Sequence, residues 1–250
     1  LISFEDAMRQ GKLSVKESSL PGGADVGLLT IKNNTHSNVL LHSGDMVTGG
    51  KQDRAFAETT IIGPHEQQHM PVFCIEKGRW TEKSRSFRYG GQADAALKKE
   101  IEVTRKQNRV WKEIERRYQQ KGIEKKTWAY SDIYNDTTHL DTACRYKFRR
   151  KMMDSDSAYA GFVAITGRRI INCEIFGSSD LCITSFDAML KSYLKTITIE
   201  DGAPSLGKDA IKTFLDKFLE TETQQQEYLN KHGRIYKYQT QVIHLVAYDE

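Results

Sequence analysis

Proline and cysteine are scarce in this 250-residue chain, at four residues each. So few prolines leave no Pro-rich spacer, and no low-complexity stretch or internal repeat stands in for one. The cysteines, Cys74, Cys144, Cys173 and Cys182, have no Cys-x-x-Cys spacing, which excludes a zinc ribbon or a redox dithiol. They read as scattered buried thiols, with Cys173 and Cys182 the one pair to check for a bridge. No run of about 18 apolar residues occurs, so no membrane-spanning helix is expected. A charge surplus is missing too: 37 Lys and Arg against 33 Asp and Glu do not call for nucleic acid as a partner.

What is present is the composition of an ordinary globular protein, 38% hydrophobic and 28% charged. The length suits one large domain or two modest ones. Residues 12–76 alternate short apolar runs with turn residues. Strand-like runs at Val26–Ile31, Ser37–Leu41, Thr59–Ile62 and Met70–Ile75 are separated by Asn33-Asn34, Gly49-Gly50 and Gly63-Pro64, with Pro21-Gly22-Gly23 ahead of the first. That spacing predicts an antiparallel sandwich or barrel.

The texture changes near residue 91. Leu97, Ile101, Trp111, Ile114 and Tyr118 recur at helical spacing within a charged stretch, which predicts one long surface helix ending near Gly122. Beyond it the sequence predicts a helix over 139–153, a hairpin from Phe162–Ile165 and Ile170–Phe176, and helices from Ser179 and Gly207. The end reads as β, with strands at Gln226–Leu229, Arg234–Tyr238 and Gln241–Ala247. The fold class is therefore α+β: a β-rich, sandwich-like N-terminal part over 1–90, followed over 91–250 by an antiparallel sheet covered with helices.

Polar residues concentrate where two strands end. Residues 44–54 read Gly-Asp-Met-Val-Thr-Gly-Gly-Lys-Gln-Asp-Arg, and residues 71–80 read Pro-Val-Phe-Cys-Ile-Glu-Lys-Gly-Arg-Trp. Lys51, Gln52, Asp53, Arg54, Glu76, Arg79 and Trp80 are the candidate ligand-binding residues. Guanidinium groups beside amides, backbone N–H groups and a large aromatic suit a planar or phosphate-bearing anion. The segment is not a P-loop, because Gln52 stands where Ser or Thr must follow Gly-Lys. A bulge at Gly49-Gly50, with Asp53 and Arg54 paired across a sheet edge, is the competing structural reading.

Two other patterns invite a catalytic reading. His65-Glu66-Gln67-Gln68-His69 matches the His-Glu-x-x-His formula of zinc peptidases, which requires a helix to aim both imidazoles at one metal. Gly63-Pro64 before it and Pro71 after it predict a turn between strands instead. Cys74 could serve as a nucleophile if a histidine lay beside it, but spacing alone supplies no such base. The basic run Arg-Tyr-Lys-Phe-Arg-Arg-Lys at 145–151 is flanked by Asp136, Asp141, Asp154 and Asp156, and reads as a solvated helix face rather than a nucleic-acid surface.

These segments carry a family resemblance. Gly44 to Arg54, Thr60 to Pro64 and Pro71 to Trp80, followed in order by Gly161-Phe162-Val163, Ile175 to Ser178, Leu190 to Tyr193 and Val242 to Leu245, resemble a bacterial domain family. The family is named for association with ADP-ribosylglycohydrolase and rhodanese-phosphatase proteins. The resemblance implies a neighbourhood with nucleotide-linked ADP-ribose chemistry and brings no catalytic residue with it.

The leading reading is a ligand-binding or accessory domain for an anionic small molecule, with ADP-ribose as the ligand the resemblance suggests. A hydrolase, zinc-dependent through His65, Glu66 and His69 or thiol-dependent through Cys74, is the alternative, and a structural or assembly module is the third. Whether the chain is an enzyme stays open; no cofactor and no metal site is assigned, and oligomeric state is not read. The missing initiator Met suggests a removed upstream segment, compatible with a periplasmic or secreted location as well as a cytoplasmic one.

Overall fold

Leu13, Val15, Leu29 and Ile31 are buried at every second position, so each strand turns one face to the core, with Val15 opposite Ile31 and Glu17 opposite Leu29 before the register shifts after Glu17. The computed structural model describes residues 1–20, 23–79, 81, 84, 86–124, 127–133, 158–196 and 204–249. It divides into two compact units, Leu1–Asp141 and Thr142–Glu250. Trp80, Cys144, the Pro21-Gly22 turn, the expected helix over 139–153 and its basic run lie outside the described residues.

The first unit opens with β1 (Ile2–Ser3) and α1 (Phe4–Arg9), whose Ser3 caps the helix by accepting the Asp6 N–H. Then come β2 (Leu13–Leu20), β3 (Gly23–Asn33), β4 (Val39–Leu41), β5 (Asp45–Thr48), β6 (Arg54–Phe56), β7 (Thr60–Ile62), β8 (Gln67–Cys74), β9 (Glu76–Lys77) and β10 (Arg88–Gln92). Six strands form a sheet in the order β10-β5-β6-β8-β3-β2, and β1-β4-β7 form another. Residues 58–76 thus hold two strands, but β7 pairs with β4 while β8 pairs with β3 and β6. The expected turn is there, but the two strands it joins do not pair with each other. Asn33 sets this split: its buried Nδ2 lies within hydrogen-bond distance of the Ser37, Ile62 and Gly63 carbonyls.

The central strands are buried on both faces. Val47, Phe56, Met70 and Val72 pack with Phe4, Leu29, Val39 and Phe87. Met46, Ala55 and Ile75, from the opposite face, pack with Leu97, Ile101, Val110, Ile114 and Tyr118. The last five come from α2 (Ala95–Lys99), a π-helical turn (Glu100–Thr104) and α3 (Gln107–Lys121). The single long helix expected here is broken, because Arg105 takes a left-handed φ of 53° after the π turn. The break rotates the buried stripe onto Val110, Ile114 and Tyr118 and leaves Trp111 half-buried. Gly122, also left-handed, stops α3.

Residues 95–133 therefore pack in the first unit although their composition differs from that of residues 1–90. The unit closes with β11 (Trp128–Ala129), paired with β9, and α4 (Tyr130–Ile133). Tyr118 donates its hydroxyl to the Ala129 carbonyl at 2.9 Å and accepts the Ala129 N–H at 3.0 Å. Burial pushes this phenol up to about 12.

The second unit is a four-stranded antiparallel sheet, β12 (Gly161–Thr166), β13 (Arg169–Phe176), β15 (Gln241–Tyr248) and β14 (Gly233–Tyr238), in that spatial order. The helix α5 (Ser179–Thr196) covers one face, where Phe162 meets Phe186 and Tyr193 edge-on. The other face carries α6 (Lys208–Leu219) and α7 (Glu222–His232), with Phe214, Phe218 and Leu229 against Cys173, Leu245 and Ala247. Residues 226–229, expected as a strand, are thus helical. Thr221 caps that helix on the Gln224 N–H, and Gln225 donates to the last-turn carbonyl of Phe218.

Cys173 and Cys182 are free thiols. Cys173 faces α6 and α7, whereas Cys182 lies on α5 across the sheet, so no bridge joins them. On the α5 face, His244 stacks between Phe176 and Tyr236 at centroid distances of 4.7 and 5.5 Å and pairs with Glu174. Both members of that pair are fully buried.

Phe218 is 0% exposed at the centre of the helix-packed face. Replacing it by Ala should cost about 3–5 kcal/mol, the usual range for emptying a buried aromatic site. Equilibrium denaturation of the variant checks this, and a loss below about 1 kcal/mol would mean the site collapses around the gap.

Candidate functional site

Two glycines create the turn on which the candidate residues sit. Gly49 has φ 123° and Gly50 φ 53°, and side chains there would be strained and obstructed. A Cβ on Gly50 would lie 2.3 Å from the Phe87 ring and 2.7 Å from Glu17 Oε1; one on Gly49 would lie 2.8 Å from the Ser86 carbonyl oxygen. The turn is thus pressed against its surroundings, and Lys51, Gln52, Asp53 and Arg54 leave it in fixed directions.

Two of the expected residues, Asp53 and Glu76, are drawn into a knot around Arg79. Arg79 donates Nε to Glu76 Oε1 at 2.7 Å and Nη2 to Glu76 Oε2 at 2.5 Å. Its Nη1 reaches the carbonyls of Gly50 at 3.0 Å and Thr81 at 2.8 Å, and Nη2 reaches Asp53 Oδ1 at 3.5 Å. Asp53 in turn accepts from the Gly49 N–H and from Ser131 Oγ, and its own N–H donates to Glu76. The Arg79 guanidinium is 14% exposed and the Asp53 side chain 1%. The bonds to Glu76 and the negative neighbours raise the Arg79 pKa further, so it stays charged. Every edge of this guanidinium is engaged within the protein. The knot closes the turn onto β9; it leaves nothing for a ligand.

Arg54 is arranged differently. It stands on β6 directly opposite Cys74 on β8, on the face that carries Val47, Phe56 and Val72, and is 0% exposed. Its Nη1 makes only long contacts, 3.3 Å to Gln52 Oε1 and 3.4 Å to the Asp53 carbonyl. Among the described residues, Nε and Nη2 have no hydrogen-bond acceptor at all. These two atoms form the side-on fork of the guanidinium, the same edge with which Arg79 grips Glu76 in two parallel bonds. The nearest carboxylate oxygen, Glu17 Oε2, stands 3.9 Å from Nη2, beyond hydrogen-bond reach. Glu17 Oε1 accepts the Lys51 N–H at 2.9 Å.

Of the candidate residues, Asp53, Glu76 and Arg79 thus form a closed knot, and Arg54 is a buried guanidinium outside it. Glu17 and Ser131 join the region from β2 and α4 without having been singled out. Glu17 had a sequence signal: it continues the inward positions Leu13 and Val15, where a carboxylate is out of place. Ser131 had none.

The two catalytic patterns look different in space. His65 sits in the connection between β7 and β8 with φ 59°, its ring nitrogen 3.1 Å from His36. His69 is on β8, bonded to Ser18 and Thr30, and Glu66 caps the turn on the Gly63 N–H. The imidazoles have separate partners and no helix aligns them. No group of three or more metal-ligating side chains occurs among the described residues. The Cys74 thiol is raised by burial, partly offset by Arg54, and its backbone N–H and carbonyl are both held by the Gln107 side chain at 2.8 Å. That describes a packed thiol rather than an activated one.

Fold and site together define a β-rich module with a glycine turn clamped by an arginine knot beside a buried guanidinium. The chain belongs to the family of the ARG and Rhodanese-Phosphatase-superfamily-associated Protein domain, whose profile matches residues 1–248. Comparison with curated proteins and with solved structures gave no match.

Two outcomes check this geometry. Arg79→Ala leaves Asp53 and Glu76 buried without their counter-charge and should cost about 3–5 kcal/mol in denaturant unfolding; Arg79→Lys should recover only part, because an ammonium lacks the fork. The thiols should be silent as well: burial pushes Cys173 up to about 12 and Cys182 up to about 11, with Cys74 also raised. At pH 8 all three stay protonated, so mass-mapped alkylation should label them only after unfolding. Rapid labelling of Cys74 in the native protein would restore the nucleophile reading.

Proposed function

We propose that this chain is a ligand-binding or accessory domain for a small oxyanion-bearing molecule, with Arg54, Lys51 and Gln52 receiving the anion while Asp53, Glu76 and Arg79 frame the turn. Trp80 belongs to the same proposal through its place next to Arg79 in sequence. The observation that carries it is the Arg54 fork, fully buried and, among the described residues, without an acceptor on Nε and Nη2. A buried charged donor left unmatched is costly, and a phosphate or carboxylate seated on the fork would satisfy both N–H groups at once. The family's name, with its association to ADP-ribosylglycohydrolase, makes ADP-ribose the first probe, since its diphosphate offers that chemistry.

A hydrolase finds little support, because neither the separated histidines nor the protonated Cys74 forms a reactive group. A structural role for Arg54 predicts a different response to mutation. Arg54→Gln should fold, since it removes an unmatched charge and Glu17, with its side chain 26% exposed, can turn to water. In calorimetry and thermal-shift titrations, ADP-ribose should stabilise the parent saturably and bind Arg54→Gln at least about 10-fold more weakly, a difference of about 1.4 kcal/mol. A large melting loss in the variant, with no ligand response in the parent, would make Arg54 a structural residue.

A further inference from the structure

At the glycine turn two arginines meet three carboxylates: Arg79 pairs with Asp53 and Glu76, while Arg54 faces Glu17. Asp53 and Glu76 are locked into the knot, so Glu17 alone is able to leave. Seating an oxyanion on Arg54 adds negative charge to a buried place, and a second carboxylate 3.9 Å from the same nitrogen would oppose it.

Glu17 is built for such a role. It is the most exposed of the three carboxylates, with a side chain 26% exposed against 7% for Glu76 and 1% for Asp53. Its register with β3 shifts directly after it, between Glu17 and Ser19, the kind of irregularity that re-aims a side chain at a sheet edge. β2 is the edge strand of its sheet. Oε1 already holds a backbone N–H of the anion-receiving turn, that of Lys51, while Oε2 points to Arg54 without reaching it.

We infer that Glu17 is an internal carboxylate that stands in for the ligand's anionic group, held between the Lys51 N–H and Arg54 until an incoming oxyanion displaces it into solvent. The inference rests on the reading of Arg54 as the anion receptor and adds the residue that sets its affinity. The group recognised is an oxyanion small enough to replace a carboxylate, carried as a phosphate or as a carboxylic acid. Displacement frees the Lys51 N–H as well as the Arg54 fork, so the ligand gains three donors where Glu17 held one.

The test is Glu17→Gln, which retains an amide oxygen for the Lys51 N–H and deletes the competing charge. Isothermal titrations with ADP-ribose, inorganic phosphate and acetate should give at least about 10-fold tighter binding than the parent for the preferred anion. Thermal melts should show a lower midpoint without anion and a larger anion-induced rise than in the parent. Preference for phosphate over acetate, or the reverse, identifies the group. Glu17→Asp keeps the charge but withdraws it by one methylene, and should fall between parent and Glu17→Gln, which guards against a folding defect in either variant. If the parent binds, Arg54→Gln does not, and both Glu17 variants bind no tighter than the parent, the stand-in role is wrong while the receptor reading survives. If no anion binds the parent or any Glu17 variant, both fall.

Discussion

The saturated guanidinium of Arg79 is the contact on which the site region depends. One side chain gathers two buried carboxylates and the carbonyls of residues on both sides of the turn, tying the segment after β5 to the segment after β9. Gly49, Gly50 and Asp53 lie 26 to 30 positions before Arg79 in sequence, and none of the charged groups gathered there could be buried alone without a penalty of several kcal/mol. Because the knot closes its own balance of hydrogen bonds, it holds Gly49 and Gly50 in left-handed conformations against Phe87 and the Ser86 carbonyl. Arg54, the next charge along the chain, is thereby committed to the interior.

That commitment separates framing from reception. Arg79 and Arg54 are the same residue type within one region, yet one has every edge filled and the other has its side-on fork empty among the described residues. The contrast is geometric: Glu76 approaches Arg79 from three residues away in a tight turn, whereas Glu17 comes to Arg54 from an edge strand and stops at 3.9 Å. Electrostatics favours the pairing, but Oε1 of the same carboxylate is taken by the Lys51 N–H at 2.9 Å. The second unit uses a buried ionisable pair in another way, stacking His244 between Phe176 and Tyr236 while Glu174 pairs with it and accepts from Asn172.

Several elements were legible because a local rule fixed them. The proline and glycine punctuation around His65 to His69 ruled out a helix, and the apolar repeat Phe214, Phe218 marked a helix laid on a sheet. The strand pairing of β7 was not legible. Asn33 decides it through contacts to carbonyls about thirty residues away, and nothing in the run Thr60–Ile62 names its partner. The segment 226–229 misled for the same reason: its residues suit either state, and a cap at Thr221 together with packing beside Phe218 selected the helix.

By itself, the sequence determined the α+β class, the family, and the concentration of polar chemistry in residues 44–54 and 71–80, since periodicity, turn residues and composition act over a few positions. Only the tertiary structure decided which of those polar groups are used up and which are left over. Lys, Asp, Glu and Arg look alike as letters, but burial makes each seek a counter-charge or hydrogen-bond partner, and the partner is chosen by strand order and register rather than by neighbourhood in the chain. Arg79 found Glu76 and Asp53, and Arg54 was carried to a different face of the same sheet region, where Glu17 stops short of it.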